Sequence, residues 1–113
     1  MARVIRVDEL APQPGRTARF EGHEHGASVS FFVSRVPEGG GPGLHRHPYE
    51  ETFVIHEGSA VFTVDGETIE ATAGTIVVVP PRAPHKFTAG PDGLRSVNIH
   101  GNDRMIQEDL PDG

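Results

Sequence analysis

Residues 39–58 read GGGPGLHRHPYEETFVIHEG and contain the most informative spacing in the chain. Successive side chains of a strand alternate between its two faces, so His45 and His47 would share a face with Cα atoms roughly 7 Å apart. Two imidazoles placed in this way can bind one ion. On a straight strand Glu51 would lie about 13 Å further along, at about 3.3 Å per residue, and could not join them. We therefore expect a corner at Pro48-Tyr49, because proline fixes its own φ and has no N–H for a ladder.

His85 lies much further along the chain, directly after an apolar run that predicts a buried strand. A closed barrel would bring it back to His45, His47 and Glu51. Three imidazoles and one carboxylate suit Fe, Mn, Ni, Co, Cu or Zn, and no softer ligand narrows the choice. Four protein ligands around an ion that prefers six leave two places for water, substrate or dioxygen, as in a catalytic site. The predicted cofactor is one divalent transition metal.

The rest of the sequence favours an all-β fold, either a sandwich or a barrel. Glycine and proline number 14 and 10, and they lie between short runs of β-branched and aromatic residues. Asp65-Gly66 predicts a two-residue hairpin, because a type I′ turn needs positive φ at both central positions. The predicted strands, the first of them an edge strand, cover residues 3–7, 27–36, 45–47, 51–57, 60–64, 67–70, 75–79 and 94–100.

Length and charge limit the domain organisation and the partners. With 113 residues, the chain is expected to form one domain over 1–113, ending in a tail over 101–113 that is irregular or a short helix. The net charge of −6 leaves no excess of Lys and Arg, so neither nucleic acid nor a membrane is an expected partner. The sequence has no cysteine and no membrane-length apolar run, so neither a leader nor a membrane span is expected, and the expected location is the cytoplasm. Residues 76–79 are apolar on both faces, which favours a covered strand and a homodimer.

The spacing resembles the two signature motifs of the cupin superfamily. The first motif is Gly, five residues, His-x-His, three or four residues, Glu, six residues, Gly, and every interval is met from Gly39 to Gly58. The second is Gly, five residues, Pro-x-Gly, two residues, His, three residues, Asn. Gly74 and His85 fall in its register, with Pro80 between them, whereas Arg82 replaces Gly and Ala89 replaces Asn. Arg82 implies a turn built without positive φ, or built with strain.

The motifs cover residues 39–89, and the flanks resemble small single-domain cupin-2 conserved-barrel proteins. This resemblance implies a double-stranded β-helix, or jelly roll, of two antiparallel sheets with the metal inside one mouth. Cupins include dioxygenases, isomerases, decarboxylases, lyases and non-catalytic binding modules, so the fold does not fix the reaction. The leading hypothesis is a metal-dependent enzyme that acts on a small organic substrate, with a dioxygenase as one candidate. In this hypothesis Glu51 could detach from the metal and serve as a base. The alternatives are a non-catalytic binding or sensing module and a metal-dependent isomerase or lyase.

Strand parity also predicts the walls of a substrate pocket. Phe53 and Ile55 share a face with Glu51, and Phe87 shares one with His85, although an ordinary core would show the same pattern. His100, at the end of the last predicted strand, is a further candidate for the pocket. Arg35 is a candidate for binding an anionic substrate, although a surface arginine is the commoner case. Parity directs Glu50 and His56 to the outer face of their strand. The second His-x-His, formed by His23 and His25, is expected to lie in a polar loop.

Overall fold

The computed structural model describes residues 2–112, so that Met1 and Gly113 lie outside the described residues. Regular structure in this range is mostly strand, with two single turns of 3-10 helix at Val7–Leu10 and Gly22–Glu24. The predicted all-β class is therefore confirmed. In chain order the strands are β1 (Ala18–Phe20), β2 (Ser30–Val36), β3 (His45–Arg46), β4 (Glu51–Val64), β5 (Glu67–Thr72), β6 (Thr75–Val79), β7 (His85–His100) and β8 (Glu108–Asp109).

All ladders are antiparallel, and they join into one sheet that curls into a half-barrel. The long strands β4 and β7 pair with each other along both halves of the curl. The first half of β4 also pairs with β6, and its second half pairs with β5. Because both long strands bend, the start of β4 lies beside the end of β7 and the start of β7 beside the end of β4.

A bulge at Gly58 and a turn at Asp65-Gly66 explain how the chain bends within β4 and then reverses into β5. The register of β4 against β7 shifts on both sides of Gly58, which has φ +76° and approaches the carbonyl of Gly93 so closely that a Cβ would not fit. The predicted strands 51–57 and 60–64 are therefore one strand with bulges. After Val64, Asp65 and Gly66 have φ of 50° and 79°, so the predicted two-residue hairpin is confirmed.

The two ends of the chain differ from expectation. The predicted edge strand over residues 3–7 is wrong, because this segment joins no ladder and runs irregularly into the 3-10 turn. Its apolar side chains Ile5 and Val7 border a cleft that is also lined by side chains of β1 and β2, so the alternation does not indicate pairing at the sheet edge. At the other end, β8 pairs with β3, and the N–H of Leu110 donates to the carbonyl of Leu44 at 3.0 Å.

The hydrophobic core lies between β4, β6 and β7, and three phenylalanine rings pack together within a mostly aliphatic cluster. The rings of Phe53, Phe62 and Phe87 pack against one another with centroids 4.9 to 5.7 Å apart. Each is buried, and burying such a side chain stabilises the fold by about 1.5–3 kcal/mol. This cluster fixes the facing inner surfaces of β4 and β7, from whose first residues the candidate ligands Glu51 and His85 project.

Strand β6 has one covered and one open face in the single chain. Val77 and Val79 are 8% and 1% exposed, whereas Ile76 and Val78 are 64% and 61% exposed. The inner cover expected from the sequence is therefore present, and the outer face forms an apolar surface together with Val54, the register partner of Ile76. Within residues 2–112 no helix is long and apolar enough to cross a membrane.

Candidate metal centre

The structure brings together His45, His47, Glu51 and His85, all buried, with one ligand atom from each within 4.8 Å of the others. The backbone explains this convergence. His45 on β3 is the register partner of His85 at the start of β7, and the chain bends after His47 so that Glu51 opens β4. The neighbouring Glu50 is exposed, as parity predicts.

The three histidines of this group are oriented by backbone carbonyls. Their Nδ1 atoms lie 2.8 Å from the oxygens of Gly43 for His45, of Ile106 for His47 and of Ala83 for His85. A carbonyl oxygen can only accept, so each neutral imidazole carries its proton on Nδ1 and directs the lone pair of Nε2 into the centre. Metal-binding histidines are held in the same way.

The carboxylate of Glu51 lies among these nitrogens. Its Oε1 is 3.2 Å from Nε2 of His47 and 3.1 Å from Nε2 of His85, while its Oε2 is 3.1 Å from Nε2 of His100. Burial opposes ionisation of Glu51, but contacts with His100, His47 and His85 outweigh burial and hold its pKa well below the ordinary value. For His45, burial is the main cause of a lowered pKa, which favours the neutral, ligating form.

These donors fit a cation. Nε2 of His47 is buried and has no partner with acceptable hydrogen-bond geometry, although a carboxylate oxygen is only 3.2 Å away. A lone pair facing an anionic oxygen at this distance is repulsive unless a proton or a positive ion lies between the two. Imidazole nitrogen and carboxylate oxygen are ligands for Fe, Mn, Ni, Co, Cu and Zn, and nothing in this donor set selects one of them.

A cavity of about 320 Å³ adjoins the centre. It is lined by Thr17, Phe32, Ser34, Val36, Gly41, Pro42, His45, His47, Glu51, Phe53, Phe87, Asn98, His100 and Gln107. Three phenylalanine rings therefore form much of its wall, and Lys and Arg are not among these described lining residues. A small molecule bound there would be in contact with the imidazole and carboxylate side chains.

The residues expected in the pocket divide into two groups. Phe53, Phe87 and His100 line the cavity. Ile55 is buried in the core, deeper along β4, and does not line it. Arg35 also lies elsewhere, with its guanidinium 3.6 Å from Asp8 and its side chain beside a separate surface cleft of about 740 Å³. Arg35 is therefore not placed to bind an anionic substrate in the cavity.

The other histidines lie away from the centre. His56 is exposed on β4, as expected. His23 lies 3.3 Å from Glu21 at the surface, and the ring of His25 stacks on Phe20 with centroids 4.5 Å apart. The exposed group of Glu21, His23 and Glu24 has a spacing that a metal could use, but such groups are common on protein surfaces.

Sequence reasoning missed a buried polar chain in the cavity wall. The hydroxyl of Ser96 donates to Oδ1 of Asn98 at 2.6 Å, and Nδ2 of Asn98 donates to the hydroxyl of Ser34 at 2.9 Å. Ser34 and Asn98 line the cavity. A signal was present in the sequence, because Ser96 and Asn98 share strand parity with His100, and polar residues at inward positions often indicate a site.

Tyr49 was also missed as part of the centre. It is buried, its ring stacks on that of His47, and its hydroxyl oxygen lies 2.6 Å from Nδ1 of His100. Burial is the main cause that raises the pKa of Tyr49, which keeps its hydroxyl protonated. The sequence suggested only a corner at this position.

Comparisons with known proteins agree with the fold. The sequence profile of the Cupin domain matches residues 31–97. The dimethylsulfoniopropionate lyase DddW of Ruegeria pomeroyi is 42% identical over 59 residues, which cover 49% of this chain and 39% of that protein. An uncharacterised protein of Methanocaldococcus jannaschii is 37% identical over 63 residues, covering 55% of this chain and 50% of that protein. The chain thus spans half or less of the length of these curated relatives.

Solved structures show the same architecture. The oxalate decarboxylase of Bacillus subtilis, which has Mn(II) centres, superposes with a TM-score of 0.78 at 23% identity over 93% of this chain and 31% of that one. The oxalate decarboxylase of Lactobacillus farciminis, in complex with formate, gives 0.75 at 22% identity over 83% and 30%. At this level of identity the likeness concerns the fold alone.

Proposed function

Since this chain belongs to the cupin family, we propose that it is a metal-dependent enzyme that acts on a small organic substrate. The observation that carries this proposal is the convergence of three Nε2 lone pairs and the Glu51 carboxylate beside the cavity. His45, His47, Glu51 and His85 would hold one divalent transition metal. When bound, the metal would supply Lewis-acid or redox activation of a substrate oxygen.

The cavity itself suggests the kind of substrate. Its volume of about 320 Å³ is at the lower end for ligand pockets, so the substrate would be small. Phe32, Phe53 and Phe87 would cover an apolar portion and exclude water. Ser34 accepts from Asn98, so its own O–H and the second N–H of Asn98 can donate to a polar acceptor of the substrate. A compact molecule with an oxygen at each end could bind the proposed metal with one end and accept hydrogen bonds from Ser34 and Asn98 with the other.

Two reaction classes follow from different observations. Resemblance to the lyase DddW favours an elimination, in which Glu51 would detach from the metal to act as the proposed base. The two coordination places left by four protein ligands, next to an apolar wall, favour dioxygen chemistry instead. We place elimination first, because the identity to DddW reaches 42% over about half of this chain.

The test is metal analysis of the purified chain, followed by turnover with each reconstituted metal. Substrate loss would be followed by NMR and dioxygen uptake by an oxygen electrode, on dimethylsulfoniopropionate, oxalate, diols, diketones and phenols. Turnover without oxygen uptake supports elimination, and coupled uptake supports a dioxygenase. His45→Ala is the control and should abolish both. A metabolite that binds tightly and is recovered unchanged would contradict the enzyme proposal and favour a binding module.

We also propose a homodimer, built on the outer face of β6 and β4. Ile76 and Val78 are more than half exposed, and Val54 extends the same surface. Apolar surfaces of this kind commonly mark an interface. Light scattering should give the mass of a dimer for the unmodified chain and of a monomer for Ile76→Glu, whereas a monomeric unmodified chain would contradict the proposal.

We also propose that the protein binds neither nucleic acid nor a membrane and that it is located in the cytoplasm. The charge of −6 supports the absence of a nucleic-acid or membrane partner, which binding assays with duplex DNA and anionic vesicles would test. A cytoplasmic location would be tested by cell fractionation.

A further inference from the structure

Four buried histidines surround Glu51, but one of them has a different partner. The Nδ1 atoms of His45, His47 and His85 face carbonyl oxygens, which can only accept. Nδ1 of His100 faces the hydroxyl of Tyr49, which can also donate. The tautomer of His100 therefore depends on the direction in which the Tyr49 O–H points.

The surroundings of Tyr49 decide that direction. The backbone N–H of Ile106 donates to the Tyr49 hydroxyl at 3.1 Å, so the hydroxyl must direct its own proton elsewhere. The carbonyl of Ile106 is 3.3 Å away and already accepts from His47, whereas Nδ1 of His100 is 2.6 Å away. The shorter contact is typical of a strong O–H donor, so Tyr49 donates to Nδ1 of His100. His100 must then carry its proton on Nε2.

That proton faces the outer oxygen of the carboxylate. Glu51 and His100 are register partners on β4 and β7, and Nε2 of His100 lies 3.1 Å from Oε2 of Glu51. Nε2 of His100 is buried and has no other partner, and its contact with Oε2 is close but bent. Oε1, on the other side of the carboxylate, faces His47 and His85.

We infer that Tyr49 and His100 are positioning residues: together they hold Oε2 of Glu51, so that Oε1 is the carboxylate oxygen available to the metal. This inference rests on the proposed metal centre and deepens it. It assigns opposite tasks to chemically identical side chains. Three histidines are ligands because a carbonyl places their proton on Nδ1, and His100 is a donor to the carboxylate because a hydroxyl places its proton on Nε2.

The direct test is the tautomer of each histidine in the unmodified chain loaded with Zn²⁺, read from long-range ¹H–¹⁵N correlation spectra. We expect a zinc-bound Nε2 and a protonated Nδ1 for His45, His47 and His85. His100 should instead show a protonated Nε2 and an accepting Nδ1, and Tyr49→Phe should alter the His100 pattern. A zinc-bound Nε2 on His100, or a proton on its Nδ1, would overturn the inference.

Variants provide the second test, with Mn²⁺ affinity and the Mn²⁺ EPR spectrum as readouts. His100→Leu should weaken binding about 10–100-fold, as for other residues that orient a ligand, and should change the EPR fine structure. His100→Gln retains an amide donor and should recover most of the affinity. His56→Leu, the exposed histidine of the same strand as Glu51, should change neither readout.

The outcomes separate the two proposals. If His45→Ala abolishes Mn²⁺ binding while His100→Leu keeps the affinity and spectrum of the unmodified chain, the positioning role is wrong and the metal centre stands. If His45→Ala binds Mn²⁺ as tightly as the unmodified chain, the metal centre itself is wrong, and the role of His100 falls with it.

Discussion

Replacing Gly58 with alanine should destabilise the fold far more than the same change in the hairpin at Gly66. Both glycines have a left-handed backbone, with φ of 76° and 79°. An alanine there costs about 1–2 kcal/mol of strain and recovers about 0.4–1 kcal/mol through the unfolded chain. At Gly66 a Cβ meets nothing within 4 Å, so the net loss should be about 0.5–1 kcal/mol.

At Gly58 a second cost is added, because the new Cβ would fall on the carbonyl oxygen of Gly93. Relieving that overlap requires β4 and β7 to separate, and overpacking of this kind typically costs about 1–3 kcal/mol. The expected total is a loss of about 1.5–4 kcal/mol in the free energy of unfolding. Urea unfolding followed by circular dichroism would measure both variants. Equal losses for Gly58→Ala and Gly66→Ala would refute the close approach at the bulge.

Three further predictions concern the second motif, the core and the metal. Arg82 is exposed with φ +67°, so Arg82→Asn, which tolerates this backbone better, should raise the unfolding free energy by about 0.5–1 kcal/mol; a loss in urea unfolding would contradict this. Phe62→Ala removes a fully buried ring and should cost about 3–5 kcal/mol in the same assay, and a loss below about 1 kcal/mol would contradict the described core. Metal at 100 times its dissociation constant should stabilise the folded chain by about 2.7 kcal/mol, so chelation should lower the Tm by roughly 10 °C and leave His45→Ala unaffected; an unchanged Tm would count against the centre.

The sequence predicts which of these side chains share a strand face, because the alternation of side chains along a strand is a local property. The alternation that pairs His45 with His47, and that prefers Glu51 to Glu50, follows from strand geometry, and so does the hairpin at Asp65-Gly66. The strain at Arg82 was one of two alternatives, and its positive φ decides between them. Rules that involve a few neighbouring residues are therefore sufficient for these features.

Position along the barrel is harder to predict than the face of a strand. Ile55 shares the face of Glu51, but four residues at about 3.3 Å each carry it about 13 Å deeper, into the core. The alternating residues 3–7 could equally pair at an edge or run unpaired beside apolar side chains, and in the structure they join no ladder and border a cleft lined by β1 and β2. Arg35 faces outward because its neighbour Ser34 faces the cavity, and the sequence alone did not fix which of the two points inward.

Backbone groups of the tail carry information that no side-chain pattern reveals. Ile106 lies outside both motifs, yet its carbonyl accepts from Nδ1 of His47 and its N–H donates to Tyr49. The first contact places the proton of His47 on Nδ1 and leaves its Nε2 free to bind the proposed metal, and the second turns the Tyr49 hydroxyl towards His100. Strand β8 holds this segment beside β3, which bears His45. This tail therefore influences where His47 and His100 carry their protons, whereas the carbonyls of Gly43 and Ala83 orient His45 and His85, so two chains with the same motif residues can present different donors to a metal when their tails differ.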